Sequence, residues 1–494
     1  MKSKLKKMWA EQPLLVIMLI ALAPRLLATF FSKGYGMYDD HFVFIEYPYR
    51  ILNDFSIWEK REFPQGRSVI YPAINYFIIK LCNFLGAEDP QEKMLFIRLL
   101  HAFYSLFTVF FGYKIAKIIS DENNAKTVGL VLALFWIFPF MSVRNLIEMV
   151  SVPMLMAGLY YSLKSDKTSD FVLSGLFFGL AFVFRVQTIL LPFGVGLAML
   201  YRKQIKSTLV MALACLASMF IFQGLSDWYV WGYPFASFLA YFFYNASHST
   251  DYIVGPWYRY ILLITGIFLP PVGILFIYGY LRTWKKYLLL FLPILVFLVF
   301  HSYFPNKQER FILPILAPML ILSIIGWLEY VKHSRFWQNH KKLGKSIWVY
   351  FWTINSILLI IFSFTYSKKT RVESMYYFSK AENISAVLVV GGNVSNNYPP
   401  TFYMNRPEKP VYTIKEKYSN EDISELRKKA VFPNYFVFYG IESIEDRKKR
   451  LEQALGANLA LVKTIEPSIT DDLLYKLNPR GNKNQTGLIY KVIK

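Results

Sequence analysis

The sequence predicts a mainly α, polytopic membrane protein with about eleven transmembrane helices, outer interfacial helices and a C-terminal soluble α/β domain. Three observations carry this. Of 494 residues, 55% are hydrophobic and only 18% charged, where a soluble domain carries roughly a quarter. Several nearly uncharged runs are long enough to cross a hydrocarbon core of roughly 30 Å as helices. From about residue 367 the runs shorten to strand length and alternate with charged helical stretches.

Candidate spans fall at about 13–31, 98–118, 127–141, 150–163, 171–184, 188–200, 207–224, 260–281, 287–303, 311–330 and 346–366. The apolar segment at about 69–85 contains Pro72, Asn75, Lys80 and Asn83, and counting it as a span would reverse every loop after it. If it lies along the outer interface instead, the basic groups all fall on the cytoplasmic side. These are Lys2, Lys4, Lys6 and Lys7, then Lys114/Lys117/Lys126, Lys164/Lys167, Arg202/Lys203/Lys206, Arg282/Lys285/Lys286 and the loop from Lys332 to Lys345. That is the arrangement the positive-inside rule requires. The N-terminal run reads as a retained anchor, since no small-residue cleavage site precedes a mature domain.

The expected domains are therefore a transmembrane part, 1–366, with its outer loop at 32–97, and a soluble non-cytoplasmic part, 367–494. In the latter, 386–390, 435–439, 459–463 and 488–493 read as strands, 419–430 and 443–456 as helices, and 391–400 as a loop. The net charge of +22 is accounted for by cytoplasmic loops facing anionic lipid and does not imply nucleic acid. Cys82 and Cys215 lie in apolar stretches and suggest neither a disulfide framework nor a zinc site.

With the topology set, the unusual polar residues collect on the outer side. The first outer loop carries Asp39 and Asp40, followed by His41, Glu46 and Arg50; the second carries Arg144 and Glu148, spaced to share a helix face. Arg185 and Gln187 lie in the third, an aromatic-rich stretch from Asp227 to Tyr260 in the fourth, and His301, Lys307, Glu309 and Arg310 in the fifth. Ionisable residues near a membrane mark functional sites, although Asp39 and Asp40 could equally cap the following helix. Acids combined with several cations suit a general base facing a phosphate held by Arg and Lys. Snorkelling toward lipid head groups accounts for at least one of Arg144, Arg185, Lys307 and Arg310, and His301 reads as structural. Glu148 reads either as a partner orienting Arg144 or as a catalytic group. No Gly-rich phosphate loop, zinc spacing or nucleophile elbow is present. A transporter would set its ionisable groups deep in the spans at a repeat interface. Here the deep spans are mostly apolar, with Arg25 a notable exception, and no inverted repeat is visible.

Six stretches in order resemble the GT-C type glycosyltransferases that use a polyprenyl-phosphate sugar. Within them the chain is most similar to the α-mannosyltransferases that build dolichol-linked oligosaccharides and glycosylphosphatidylinositol anchors. Met37-Tyr38-Asp39-Asp40-His41-Phe42 resembles the family's His-Pro-Asp-Glu-His/Tyr-Phe motif, whose Asp is the proposed base. Val143-Arg144-Asn145 with Glu148 and Phe184-Arg185-Val186-Gln187 stand where that family has its second-loop Arg and Glu and its Arg-Pro-Thr. Asp227 to Gly232 and Gly255-Pro256-Trp257-Tyr258-Arg259-Tyr260 resemble Asp-x-x-x-Tyr-Gly and Gly-x-His-Pro-Trp-Tyr-Trp-Tyr. Pro305 to Pro314 is similar to Pro-His-Lys-Glu-x-Arg-Phe-Ile-x-Pro, with Asn306 and Gln308 replacing His and Glu.

The resemblance implies an inverting transfer of a sugar, mannose foremost, from a polyprenyl-phosphate donor to a glycan or glycolipid acceptor on the non-cytoplasmic face. Arabinose and glucose are the alternatives. Asp39 is implied as base and Asp40 as a second carboxylate or a helix cap. Arg144, Glu148, Arg185, Trp257, Tyr258, Lys307, Glu309 and Arg310 are implied in binding donor phosphate and substrate. A bacterial member would lie in the inner membrane facing the periplasm, and a eukaryotic one in the endoplasmic reticulum. No metal or other cofactor is expected, because protein cations take the place Mg²⁺ holds for nucleotide-sugar donors. Transfer activity in membranes should accordingly survive EDTA; its loss, with recovery on adding Mg²⁺ or Mn²⁺, would recast Asp39 and Asp40 as metal ligands.

Overall fold

The computed structural model describes residues 2–60, 66–392, 397–480 and 482–493, and not the side chains of residues 2–5 and 39. The chain forms two compact units. The first comprises Met1–Thr29, Arg61–Tyr71 and Arg98–Ser363, and the second Phe30–Lys60, Pro72–Ile97 and Phe364–Lys494. The outer loop 32–97, expected with the transmembrane part, falls mostly in the second unit, with Arg61–Tyr71 in the first.

The first unit is helical. Among the described residues, five helices have the length and apolarity to cross a membrane: Pro13–Phe31, Pro90–Ile119, Ile205–Trp231, Glu309–His333 and Lys341–Ser363. The helices Arg259–Ile267 and Val272–Arg282 would together make a sixth, but they bend by 114° at their junction. Pro270 and Pro271 fill that break, removing backbone donors where a helix would need them. Thr168–Phe184, Val186–Tyr201 and Leu288–Tyr303 are shorter apolar helices. Of the eleven expected spans, five, or six with the bent pair, thus have a counterpart among the described residues that is long and apolar enough to cross a membrane as one helix. One reason is that the expected span at 127–141 divides into Glu122–Leu134 and Ile137–Ser142. The expected helix at 69–85 is present as Ile70–Phe84.

Helices without water between them are held by close packing and internal polar contacts. The helices Val272–Arg282 and Leu313–His333 cross where a Cβ on Gly279 would overlap the Ser323 carbonyl, and one on Gly326 the Gly279 carbonyl. The buried charge Arg25 is also internally satisfied: Nε donates to Ser105 Oγ at 2.9 Å, and Nη1 to the carbonyls of Ala21 at 2.9 Å and Ala133 at 3.0 Å. Its depth therefore reflects a structural tie across three helices.

The second unit is built on a five-stranded sheet. Its strands are β1 (Val387–Val390), β2 (Val411–Ile414), β3 (Tyr435–Tyr439), β4 (Asn458–Ile465) and β5 (Gly487–Ile493), in the order β2-β1-β3-β5-β4. Both neighbours of β1 are parallel to it, and β5 runs antiparallel to β3 and β4. Alternation assigns the faces: Val387, Val389, Tyr435, Val437 and Ile489 join the cluster containing Val372, Met375 and Phe378 of helix Lys369–Lys380. Leu388, Val390, Phe436, Phe438 and Tyr490 join the one containing Ile423 and Leu426 of Asn420–Arg427 and Leu451 of Ile444–Leu455. Four strands and two helices match the sequence reading within a few residues. The edge strand β2 and the helices Lys369–Lys380 and Ile469–Leu477 were not anticipated, and of the expected loop at 391–400, residues 393–396 lie outside the description.

Gly279→Leu or Gly326→Leu should lower stability in detergent by about 1–3 kcal/mol through overpacking, measured by thermal unfolding. An unchanged midpoint would mean that the helix pair can separate without cost.

Candidate active site

Glu148 is the centre of the charged site in the first unit. It is the second residue of helix Ile147–Lys164 and has no solvent exposure. The unpaired N–H groups of that first turn favour a carboxylate. Its Oε1 lies 3.2 Å from Arg185 Nη2 and 3.6 Å from Arg310 Nε, so two guanidinium groups share one carboxylate. Arg185 terminates the helix Thr168–Phe184 in an extended conformation, and its guanidinium lies over the Phe311 ring at 5.1 Å. Arg310 comes from the short 3₁₀ turn Glu309–Ile312, where its Nε also donates to Gln308 Oε1 at 2.9 Å. Three separate backbone breaks thus deliver one buried cluster.

Arg144 is buried with its guanidinium 4.7 Å from the Phe140 ring centre. It does not share a helix with Glu148 as the i, i+4 spacing suggested, because the chain turns at Val143-Arg144 and the helix begins only at Ile147. Lys307 also departs from its expected place in a phosphate clamp. Its Nζ donates to the carbonyls of His301 and Ser302, each at 2.8 Å, and of Phe304, which cap the end of helix Leu288–Tyr303. These three bonds use all the donors of an ammonium group, so in this arrangement Lys307 acts as a helix cap. Burial, with a smaller contribution from Arg259, lowers its pKa.

The same loop is pinned to the fourth outer stretch: Lys307 N donates to Ile253 O at 2.8 Å, Tyr260 Oη to Gln308 O at 3.0 Å, and Arg259 Nη2 lies 2.6 Å from Glu309 Oε1. Glu309 is thereby engaged by Arg259, while Trp257 and Tyr258 remain exposed and meet edge to face at 5.7 Å. His301, buried against Phe297, bonds that residue's carbonyl through Nδ1 at 2.9 Å, as its structural reading implied. Sequence reasoning missed a neighbouring polar group in which Tyr71 Oη lies 2.7 Å from His101 Nε2 and donates to Asn145 Oδ1 at 2.6 Å. These positions lie far apart in the chain, and the only available signal was Asn145 following Arg144.

The two adjacent carboxylates belong to the second unit, in the short helix Tyr38–His41. The Asp39 side chain lies outside the described residues. Asp40 is buried, and its Oδ2 accepts from Met37 N at 3.2 Å, the backward bond of an N3 carboxylate in a capping box. A four-residue helix needs tertiary anchors. His41 stacks between Tyr35 and Tyr403, at 4.8 and 5.3 Å, and its Nε2 lies 3.3 Å from Glu46 Oε2. Glu46 in turn accepts from Phe402 N at 2.9 Å and from Thr401 Oγ1. Beside this helix, between Tyr38 and Phe42 on one side and Tyr398 and Glu408 on the other, lies a cavity of about 670 Å³.

The helical membrane unit, the α/β unit and the buried guanidinium–carboxylate cluster define a multi-pass membrane protein of the GT-C fold. Two solved structures share the fold. ArnT from Cupriavidus metallidurans bound to undecaprenyl phosphate aligns with a TM-score of 0.65 at 12% identity, over 96% of this chain and 97% of that one. The oligosaccharyltransferase AglB from Archaeoglobus fulgidus, in complex with an inhibitory peptide and a dolichol-phosphate, aligns at 0.51 and 12% identity over 90% and 71%. More particularly, residues 16–405 match the Alg9-like mannosyltransferase family, and the chain belongs to it. GPI alpha-1,2-mannosyltransferase 3 of Homo sapiens is 24% identical over 316 residues, 61% of this chain and 55% of that protein. Its Bos taurus counterpart is 24% identical over 324 residues, 62% and 57%. The chain thus spans little more than half the length of these relatives.

Replacing Glu148 by Ala leaves Arg185 and Arg310 buried without their shared carboxylate. Thermal unfolding should show a loss of about 3–5 kcal/mol, and a smaller loss for Glu148→Gln. Equal stability of all three proteins would exclude Glu148 as the electrostatic centre.

Proposed function

We propose that this protein transfers mannose from a polyprenyl-phosphate donor to a hydroxyl of a glycan or glycolipid acceptor, on the non-cytoplasmic side of the membrane. The observation that carries the proposal is the pair of buried guanidinium groups converging on Glu148, in a chain of a mannosyltransferase family. Undecaprenyl phosphate and dolichol-phosphate, bound by proteins of the same fold, support a lipid-phosphate donor. The distribution of basic loops supports the side.

In this reading Arg185 and Arg310, held in orientation by Glu148, bind the donor phosphate; Arg144 is the further cation that the family resemblance places with them. Asp39, which the resemblance marks as the base, takes the proton of the acceptor hydroxyl. The acceptor oxygen bonds to the anomeric carbon as the bond from that carbon to the phosphate oxygen breaks, and the electron pair leaves with the polyprenyl phosphate. The guanidinium groups stabilise the charge developing there. A phosphate leaves without protonation, so one base and fixed cations suffice, and a β-linked donor gives an α-linked product. The cavity beside helix Tyr38–His41 offers room for the acceptor glycan, with the exposed rings of Tyr38 and Tyr398 as stacking surfaces.

The test is transfer of radiolabelled mannose from a short-chain polyprenyl-phosphate mannose to mannosylated acceptors, in membranes carrying the intact protein or a variant. Asp39→Asn should abolish turnover. Arg310→Ala should weaken donor binding and reduce kcat by about 10²–10³. Equal turnover by Asp39→Asn would remove that residue from the chemistry, and unaltered kinetics of Arg310→Ala would remove it from the clamp. No turnover by the intact protein with mannose, but turnover with another lipid-linked sugar, would replace the donor.

A further inference from the structure

The second unit contains another cavity, of about 520 Å³, lined by none of the residues assigned above to the proposed transfer. It opens at the carboxyl ends of β1, β2 and β3, where Val390, Glu416 and Tyr439 line it. β1 lies between β2 and β3, with all three parallel. The chain leaves β1 toward one side for β2 and returns on the other for β3, so the carboxyl ends of β1 and β3 form a topological switch point, the place where open α/β sheets bind ligands. The volume lies within the range of about 300–1,000 Å³ for small-molecule sites.

The wall chemistry selects the ligand. Arg371 is buried, and its guanidinium is engaged by Asn397 Oδ1 at 2.6 Å, by Gln485 Oε1 and by the Tyr439 ring at 5.0 Å. Arg447 Nη1 donates to the carbonyls of Tyr439 at 3.1 Å and Gly440 at 3.3 Å, and its Nη2 pairs with Glu416 at 3.6 Å. Both guanidinium groups thus brace the cavity wall. Beyond the Arg447–Glu416 pair the wall carries Arg371 and Lys483 with Glu442 and Asp471, two charges of each sign, so it offers an anion no net positive charge. No group of three or more His, Cys, Asp or Glu able to hold a metal occurs among the described residues.

What remains is an interleaved set of donors and acceptors. Asn397 and Asn484 accept through Oδ1, the latter from Thr486 N at 2.8 Å, which leaves each Nδ2 to donate. Asn482 donates to the carbonyls of Leu474 and Asn478, leaving Oδ1 to accept. Asp471 is engaged by Ser468 through Oδ2 at 2.8 Å and Glu442 by Asn484 N through Oε1 at 3.3 Å, and each keeps a second oxygen. A hydroxyl both donates and accepts, so neighbouring hydroxyls on a sugar ring match this pattern. We infer that the cavity at the carboxyl ends of β1, β2 and β3 is a binding site for an uncharged saccharide, distinct from the site of transfer.

The inference is tested on the full chain in lipid nanodiscs by photolabelling with a diazirine-bearing α-mannoside. Labelled peptides are mapped by mass spectrometry, with mannotriose, maltotriose, N-acetylchitotriose and inorganic phosphate as competitors. Labelling within 440–447 and 469–485 that at least one oligosaccharide displaces and phosphate does not is the expected result. Asp471→Ala and Asn484→Ala should each weaken that labelling at least tenfold. Labelling of these peptides that no saccharide displaces, displacement by phosphate alone, or labelling confined to other peptides would overturn it. The mapping on the unaltered protein needs no variant to fold. Mannosyl transfer measured on the same preparation separates this result from the fate of the proposed reaction, since either can fail alone.

Discussion

Removing a charge from water costs several kcal/mol unless the protein replaces the lost partners, and a chain this apolar must meet that requirement with few polar groups. The Glu148 carboxylate, closed off from solvent, meets it by drawing Arg185 and Arg310 onto one oxygen. The consequence is both structural and chemical. The two guanidinium groups are fixed in orientation before any substrate arrives, so little reorganisation is left to the reaction step. Arg25 and Lys307 obey the same rule through uncharged oxygens, backbone carbonyls and, for Arg25, the Ser105 hydroxyl, and that difference in partner separates a structural cation from one suited to bind phosphate.

The breaks in regular structure are where this chemistry is delivered. Arg185 follows a helix end, Arg310 sits in a 3₁₀ turn, and Glu148 opens a helix. A long helix presents its side chains in a fixed spiral, whereas a break lets one residue turn out of it toward a common point. The second unit uses an analogous device for its short helix Tyr38–His41: stacking on His41 and the bonds from Glu46 to Phe402 and Thr401 supply the order that four residues lack by themselves.

The parallel core of the α/β sheet has a separate logic. With both faces covered by helices, the strands expose only their ends, and polar side chains therefore gather at the carboxyl edge. There the arginines support the amides and carbonyls, which suits recognition of hydroxyl groups and leaves no concentrated positive field.

Composition by itself determined that the chain is a membrane protein, because hydrocarbon thickness acts on any sequence regardless of detail. The order of six motifs determined the family, and alternation determined most of the C-terminal strands. The four-residue edge strand Val411–Ile414 was too short to carry a period. The number of full-length spans also escaped, since Pro270 and Pro271 and the break after Leu134 interrupt runs that hydropathy alone reads as continuous. Only the tertiary structure decided which cations share a carboxylate and which cap a helix. Arg144 and Glu148 are four residues apart yet separated by a turn, while Glu148 and Arg310 are 162 apart in sequence and meet. Side-chain partners are chosen by distance in space after the backbone has turned, and spacing along the chain reports that distance only within one unbroken helix or strand.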